Sequence, residues 1–541
     1  MSTMSHLARL WNERIKRQWI AACLLCASIV SAQGCRLPGL CCPESMRPLP
    51  ESFQVNNVVD KGVVSDQNSS QLGWNQFFED EELKSLISES IAGNQELKIL
   101  AQDIRIAYND YRARRGAIFP FFNIGATAGM DKASRFTRAG AVEDQLTVAP
   151  GKGFPDPLPN FLVAADVSWE IDIWRKLRNA RDAATLRYLG TQAGRNYVIT
   201  RLVSDVAENY YQLLALDNTL VTLDKTIQIQ EASFETAKAL KEAARGTELA
   251  VQRFQAEFQK NQSQKFVIQQ KIVEAENRIN YIAGRFPQAV ARPQVEFVDV
   301  QLASLQVGVP SQQLLNRADI RQAERELRAA GLDVKVARAQ FYPSLILTAG
   351  VGYEAFNTKY LFTTPEALVY NAVGGLVAPV INRSAIKADY LNANAKQLQA
   401  VYHYQQTVIN AHIEVINNLS KVDNLSQSIE IKRKQLQSLE ASVDNATKLF
   451  QSARGEYIDV LLSQRDLMEA KLALIEVKQE QVSAVIKAYQ ALGGGGSAGD
   501  FLVDEAEVID LEEPEEPVSE DTPVVDAQSL SEEATNEASN M

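Results

Sequence analysis

The sequence predicts a mainly α-helical protein with a small transmembrane β part: internally duplicated long coiled-coil hairpins plus four β-strands per chain, with three chains forming a trimeric 12-stranded β-barrel. Three observations lead there. The span from Trp174 to Gly284 is written again from Arg383 to Gly493 at a constant shift of 209 with no gap, which takes Arg245-Gly246 onto Arg454-Gly455 and Ile282-Ala283-Gly284 onto Ala491-Leu492-Gly493. Inside it, Ile199, Leu202, Val206, Leu213, Leu216, Leu220, Leu223 and Ile227 fall at alternating steps of three and four, broken only by Asn209, which is the spacing of a coiled-coil seam. Between helical stretches lie segments that alternate apolar with polar at period two, the signature of strands with one wet face.

The chain opens on an export signal, residues 1–34. Arg14, Lys16 and Arg17 precede the apolar run Trp19 to Val30, which is too short to span a bilayer and is expected to be cleaved. Ala32 and Gly34 before Cys35 resemble a lipobox, so Cys35 is expected to become the acylated N-terminus; the alternative is ordinary cleavage with Cys35 left as a thiol. Residues 35–71 read as a lipidated extended tether, and the roles of Cys41 and Cys42 stay open.

The first structural repeat is expected over residues 72–285. Leu83, Leu86, Ile87, Ile91, Leu97, Leu100, Ile104 and Tyr108 keep helical spacing until Gly116 and Pro120. Phe122, Ile124, Ala126, Ala128 and Met130 then alternate with Asn123, Gly125, Thr127 and Gly129 as a strand. After a loop rich in Pro, Gly and charge, Phe161 to Ile173 is the sharpest period-two stretch, with Asp166, Ser168, Glu170 and Asp172 expected to face a wet barrel lumen. The helical hairpin that follows is long. About 66 residues separate Asn179 from the Arg245-Gly246 break, so a continuous helix would reach roughly 100 Å, with Gly190 and Gly194 as the points where it could bend or divide.

After a linker over residues 286–310, the second repeat is expected over residues 311–496. A helix from Ser311 to Gln340 ends at Pro343, Leu345 to Tyr353 alternate as a strand, and a weaker strand covers Ala372 to Ile381. The second seam runs Val408, Ala411, Val415, Val422, Leu425, Ile429 and Leu436, with Asn418 at the position matching Asn209. That asparagine pair is expected to be buried and register-setting. Pro120 maps onto Pro343 at a shift of 223, so the first β-hairpin carries the longer loop. Four strands cannot close a barrel, and an open edge facing lipid leaves backbone amides unsatisfied, so a homotrimer is the economical solution.

The net charge of −12 comes from the tail. Residues 500–541 hold fifteen acidic and no basic residues, leaving +3 for the rest of the chain, so nothing marks a nucleic-acid surface. Residues 497–541 read as an acidic disordered tail. Histidines are few, namely His6, His403 and His412, and no metal-ligand cluster, phosphate loop or nucleophile motif stands out. No catalytic residue, metal or cofactor is expected, and the chain is not expected to be an enzyme.

Several motifs resemble one family. They are Trp169-Glu170-Ile171-Asp172-Ile173-Trp174; Leu314-Leu315-Asn316-Arg317-Ala318-Asp319-Ile320-Arg321 with Ala323-Glu324; Phe341-Tyr342-Pro343; Gly455-Glu456-Tyr457-Ile458-Asp459-Val460-Leu461; and Ala491-Leu492-Gly493-Gly494-Gly495. Together they resemble the TolC-like outer-membrane efflux channels, in the lipoprotein (NodT-like) branch serving resistance-nodulation-division pumps. The family usually has proline where this chain has Ala318. The resemblance implies a passive trimeric exit duct, a short β-barrel in the outer membrane continued by a long α-helical tunnel through the periplasm, anchored in outer-membrane lipid and docking on a periplasmic adaptor protein and an inner-membrane pump to export drugs, toxic compounds or metal ions. It implies that the hairpin tips Arg245-Gly246-Thr247 and Arg454-Gly455-Glu456 form the periplasmic entrance and meet the adaptor, with glycine permitting each turn and Asp459 at the constriction. The alternatives are the outer-membrane duct of a type I protein secretion system and a periplasmic coiled-coil scaffold without a channel.

Overall fold

The computed structural model describes residues 38–42, 48, 50, 72–303, 305, 316–379, 384–452 and 454–494. Cys35, the signal segment and the acidic tail lie outside the described residues, as does the expected helical stretch over residues 311–315.

The first helical stretch is three helices, α1 (Trp74–Phe77), α2 (Glu81–Gly93) and α3 (Gln95–Gly116). Apolar periodicity runs through all of them, yet two short polar side chains restart the helix. Asp80 accepts from the backbone N–H groups of Glu82 and Leu83, and Asn94 from that of Leu97. Each is an N-cap in non-helical backbone conformation, which ends one helix and begins the next. Strand β1 (Phe121–Asp131) follows. The long loop after it is structured by α4 (Arg138–Gln145), capped by Thr137, and by the small hairpin of β2 (Thr147–Ala149) and β3 (Lys152–Gly153). Strand β4 (Leu158–Ile171) leads into the rods α5 (Lys176–Glu242) and α6 (Glu248–Ile282).

A single turn at Phe297–Asp299 precedes α7 (Ala318–Ala339), β5 (Ser344–Ala355), β6 (Leu368–Val377), α8 (Ser384–Gln451) and α9 (Tyr457–Ala491). Strand β6 begins four residues before the expected start and stops short of Pro379, which lacks the N–H a ladder needs. The four long strands form one antiparallel sheet in the order β1-β4-β5-β6, so the hairpins of the two repeats meet at β4 and β5.

The 67 residues of α5 form one uninterrupted helix, about 100 Å long at 1.5 Å per residue, with no division at Gly190 or Gly194. Gly194 serves packing instead. A Cβ there would stand 2.9 Å from the Gln322 side-chain oxygen, so its absence leaves room for the Gln322 amide of α7 against the helix. Each long helix is flanked by shorter ones stacked end to end: α3 and α6 on one side of α5, α7 and α9 between α5 and α8.

Of the first seam, Ile199, Leu202, Val206, Leu213 and Leu223 are buried, whereas Leu216, Leu220 and Ile227 are half-buried. Asn209 and Asn418 do not set register as expected. Each turns back on its own helix, donating to the carbonyls of Asp205 at 2.6 Å and Glu414 at 2.8 Å. The buried polar pair is Gln230 and Asn261, joined at 2.8 Å across α5 and α6. A helix with neighbours on several sides has no single stripe to read, which is why spacing alone pointed elsewhere.

At mid-rod the short N-terminal helices clasp the bundle. Phe77 stacks on Tyr489 with 3.9 Å between ring centroids, and the Tyr489 hydroxyl donates to the Leu72 carbonyl at 2.5 Å. The Tyr210 hydroxyl donates to Asp80 at 2.8 Å, and Phe77, Phe78, Tyr210 and Tyr489 are among the largest fully buried side chains.

Candidate functional site

Three regions bear on function: the sheet, its junction with the rods, and the rod tips. Strand register sorts the sheet into two faces. Phe122 lies opposite Val167, Val167 opposite Ala349 and Ala349 opposite Ala372; the next row of that face is Ile124, Ala165, Val351 and Tyr370. The other face carries the row Asn123, Asp166, Gly350 and Asn371, and the row Phe121, Ser168, Thr348 and Val373. One face is therefore apolar across all four strands, with Ile124 85% and Tyr370 81% exposed, and it asks for an apolar medium. Asp166, Ser168 and Glu170 share the polar face. That face is crowded: a Cβ on Gly350 would collide with the Asp166 carboxylate, and one on Gly352 would come within 2.6 Å of the Ala164 methyl. Glycine at these places lets neighbouring strands close toward the polar side.

The strand ends at Ile171, two residues before the expected Ile173, and this changes the role of Asp172. It sits past the strand and holds the start of α5. Its carboxylate accepts from the backbone N–H groups of Leu177 at 3.1 Å and Arg178 at 2.9 Å, and from the Arg178 guanidinium at 3.1 Å. Burial alone would raise its pKa, but these donors outweigh burial and hold the carboxyl below its usual range. Glu170 pairs with Lys176. Two indoles flank this junction. Trp169 donates to the Ile118 carbonyl at 2.9 Å and Trp174 to the Pro343 carbonyl at 2.8 Å, a placement suited to an interface that is apolar above and wet below.

At the opposite end, both hairpin tips meet. Ala237, Val251, Phe254, Val460 and Leu461 form one apolar cluster, with Phe254 6.5 Å from Phe450 and 6.5 Å from Tyr457 between ring centroids. The turn chemistry differs from expectation. Neither Gly246 nor Gly455 is left-handed; in the first tip that conformation belongs to Ala244, at φ 55°. Arg245 N–H donates to the Leu240 carbonyl and Ala244 N–H to that of Lys241, which closes α5 in a Schellman motif. The glycines answer a need for space. A Cβ on Gly246 would stand 3.0 Å from the Lys241 nitrogen, and one on Gly455 would stand 3.0 Å from the Leu449 Cβ.

Thr247 caps α6, accepting from Ala250 N–H at 3.2 Å, whereas Glu456, at the matching position before α9, makes no side-chain cap bond. Asp459 lies exposed in the first turn of α9, where its charge complements the helix dipole. Arg245 and Arg454 are exposed too, and among the described residues no ion pair joins either to Asp459. The ion pair at the first tip is Lys241 with Glu248, which sequence reasoning did not single out.

Near the N-terminus, residues expected to be a plain tether are docked. Leu40 packs on Val334, Ala337, Phe341 and Tyr390, and Cys41 exchanges backbone bonds with the Asn394 side chain at 3.1 and 3.4 Å. Cys41 and Cys42 are exposed free thiols. Among the described residues no helix is long and apolar enough to cross a membrane, and no group of acidic, His or Cys side chains could hold a metal ion.

Comparison with known proteins agrees with this geometry. The model of a family described as outer membrane efflux protein matches residues 86–285 and 309–494. The cation efflux system protein CusC of Escherichia coli O6:H1 is 26% identical over 449 residues, covering 83% of this chain and 93% of the relative. SilC of Salmonella typhimurium, a probable outer membrane lipoprotein, is 26% identical over 458 residues, covering 84% and 95%. Among solved structures, the open state of the MtrE outer membrane channel of Neisseria gonorrhoeae superposes with a TM-score of 0.72 at 22% identity, covering 84% of this chain and 98% of that one, a likeness of fold.

Proposed function

The chain belongs to the outer membrane efflux protein family, and from that premise we propose that it works as a homotrimeric exit duct of a tripartite efflux system in the outer membrane, joined to a periplasmic adaptor and an inner-membrane pump. One observation carries the trimer. The sheet ends on β1 at one side and β6 at the other, each with one paired neighbour, and the helical layer ends on α3 with α6 and on α8. Helix α3 leads into β1 and β6 leads to α8, so the two layers stop at the same two sides. The strand edges carry unpaired backbone groups that lipid cannot satisfy, and the helical edges expose Ile99 and Ile106 on one side and Tyr402, Ile409 and Ile413 on the other. A single join between copies satisfies both layers, and three copies supply enough strands for a barrel.

The apolar face of the sheet then meets lipid and the polar face, with Asp166, Ser168 and Glu170, lines the lumen. The tips, with Arg245, Gly246, Thr247, Arg454, Gly455, Glu456 and Asp459, are the periplasmic entrance and the adaptor contact. Cys35 carries the lipid, a reading supported by the lipoprotein description of SilC. Relatives described as efflux proteins favour small molecules or metal ions over secreted proteins as cargo, and the reading contains no catalytic step. The test is native mass spectrometry of the detergent-extracted chain together with planar-bilayer recording. Three copies per particle and discrete conductance steps are expected, and a monomer without conductance overturns the reading.

A further inference from the structure

Where α5 leaves the sheet and α7 approaches it, a groove of about 500 Å³ opens between the two helices, lined among others by Trp174, Arg175, Asp182, Lys335, Arg338 and Tyr342. Four of these side chains are charged, and their balance is one-sided. Asp182 is held by the neighbouring Arg181 guanidinium at 2.6 and 2.9 Å. Arg175, Lys335 and Arg338 are exposed, and among the described residues none of the three makes an ion pair. Neighbouring acids in sequence are engaged elsewhere, Asp172 by Arg178 at 3.1 Å and Asp333 by Arg187 at 2.6 Å. Three cations therefore share one groove whose single acid is already paired.

Arg175 stands there at a conformational cost. Its backbone is left-handed, at φ 59°, a conformation that glycine takes without strain. The turn itself does not require a guanidinium, yet the groove receives one. The shift of 223 between the repeats carries Lys335 and Arg338 onto Arg112 and Arg115 of α3, so basic side chains recur at this height. That height is the membrane surface when the sheet is read as a barrel. Trp174 and Tyr342, stacked with 4.8 Å between ring centroids, form one wall of the groove. Leu40 packs on the cluster that contains Phe341, the residue next to Tyr342. With Cys35 as the lipid anchor, five residues of chain lead from it to Leu40, a reach of at most about 18 Å, so anchor and groove share one level.

We propose that this groove is a binding site for a phosphate group, placed to take the headgroup of a phospholipid from the periplasmic leaflet of the outer membrane. Arg175 and Arg338 offer planar forks to the phosphate oxygens and Lys335 a point charge, while the stacked Trp174 and Tyr342 give an amphipathic wall to the glycerol and first methylenes. Placement at the bilayer rests on the barrel reading above. The charge set stands without it, because free phosphate would meet the same three cations.

Native mass spectrometry of the detergent-solubilised full-length protein titrated with dimyristoyl phosphatidylglycerol is the direct probe. Dimyristoylglycerol, which lacks the phosphate, is the control, and inorganic phosphate is titrated calorimetrically in parallel. One phosphatidylglycerol retained per chain is expected, with affinity lowered about tenfold by Arg175→Gly and further by Lys335→Gln with Arg338→Gln. Glycine suits the left-handed backbone at position 175, so the first variant keeps the fold. Retention of the phospholipid assigns the groove to a bilayer headgroup, and saturable inorganic phosphate without lipid retention assigns it to free phosphate. Equal retention of the two lipids, binding unchanged by Arg175→Gly, or binding of neither phosphate source overturns the proposal. The oligomer mass in the same spectra tests the trimer separately, so a trimer without phosphate binding removes this site and leaves the duct reading standing.

Discussion

The indole N–H of Trp174 donates to the Pro343 carbonyl at 2.8 Å while its ring stacks on Tyr342 with 4.8 Å between centroids. The contact joins the place where the first half leaves the sheet to the place where the second half enters it. Trp174→Phe keeps the stack and loses one hydrogen bond, so it should lower stability by about 1 kcal/mol, and Trp174→Ala by roughly twice that. Thermal dissociation followed by semi-native electrophoresis ranks the two; equal loss in both would place the weight on the hydrogen bond alone.

Asp172 gives a pH prediction. Its folded pKa lies below the unfolded one, so its contribution is present above the ordinary carboxylate range and is lost as pH falls through the depressed value. Asp172→Asn should cost about 1 kcal/mol at neutral pH, as loss of a cap does, and the wild-type advantage should fade in acid. Denaturant midpoints at neutral and acid pH measure it, and an advantage that persists unchanged in acid contradicts the assignment of Asp172 as a charged cap.

The tips make opposite predictions for two neighbouring residues. Ala244→Gly removes the cost of a left-handed alanine and should stabilise the tip by roughly 0.5–1 kcal/mol, whereas Gly246→Ala must push the Lys241 backbone aside and should destabilise it by about 1–3 kcal/mol. Hydrogen exchange at the Arg245 amide reads both: slower in the first variant, faster in the second, with mid-rod amides unchanged.

At the proposed entrance, Asp459 and Glu248 are both exposed acids in the first turn of a helix, but Glu248 is engaged by Lys241. Asp459→Asn should reduce the preference for cations in planar bilayers, whereas Glu248→Gln should leave it nearly unchanged, since a solvent-exposed pair contributes only about 0–1 kcal/mol. Equal effects would remove Asp459 from the constriction.

Much of the architecture was legible because it rests on repetition. The shift of 209 needs no energy calculation to be seen, and alternation in β1, β4 and β5 survives because one face meets an apolar medium and the other does not. What periodicity misses depends on position at the ends of elements. Asp172 reads as one more polar residue of a strand until the strand is seen to stop at Ile171. Ala244 gives no turn signal, since alanine in the left-handed region is held there by the closing bonds of the helix and not by its own preference. Gln230 and Asn261 lie 31 residues apart, and only the meeting of α5 and α6 makes them a pair.

The clasp of Phe77, Tyr489, Tyr210 and Asp80 grips α5 near its midpoint. Tyr210 is 34 residues from Lys176 and 32 from Glu242, roughly 50 Å from either end. An unbroken rod held at its centre is a lever with equal arms. A tilt of about 10° about that fulcrum carries the tip sideways by roughly 8 Å at 1.5 Å of rise per residue, with no hydrogen bond inside the helix broken. The same tilt would carry the other arm as far, but there the rod joins a sheet whose ladders resist shear, so the motion becomes a gentle bend of the arm beyond the clasp and shows at the tip.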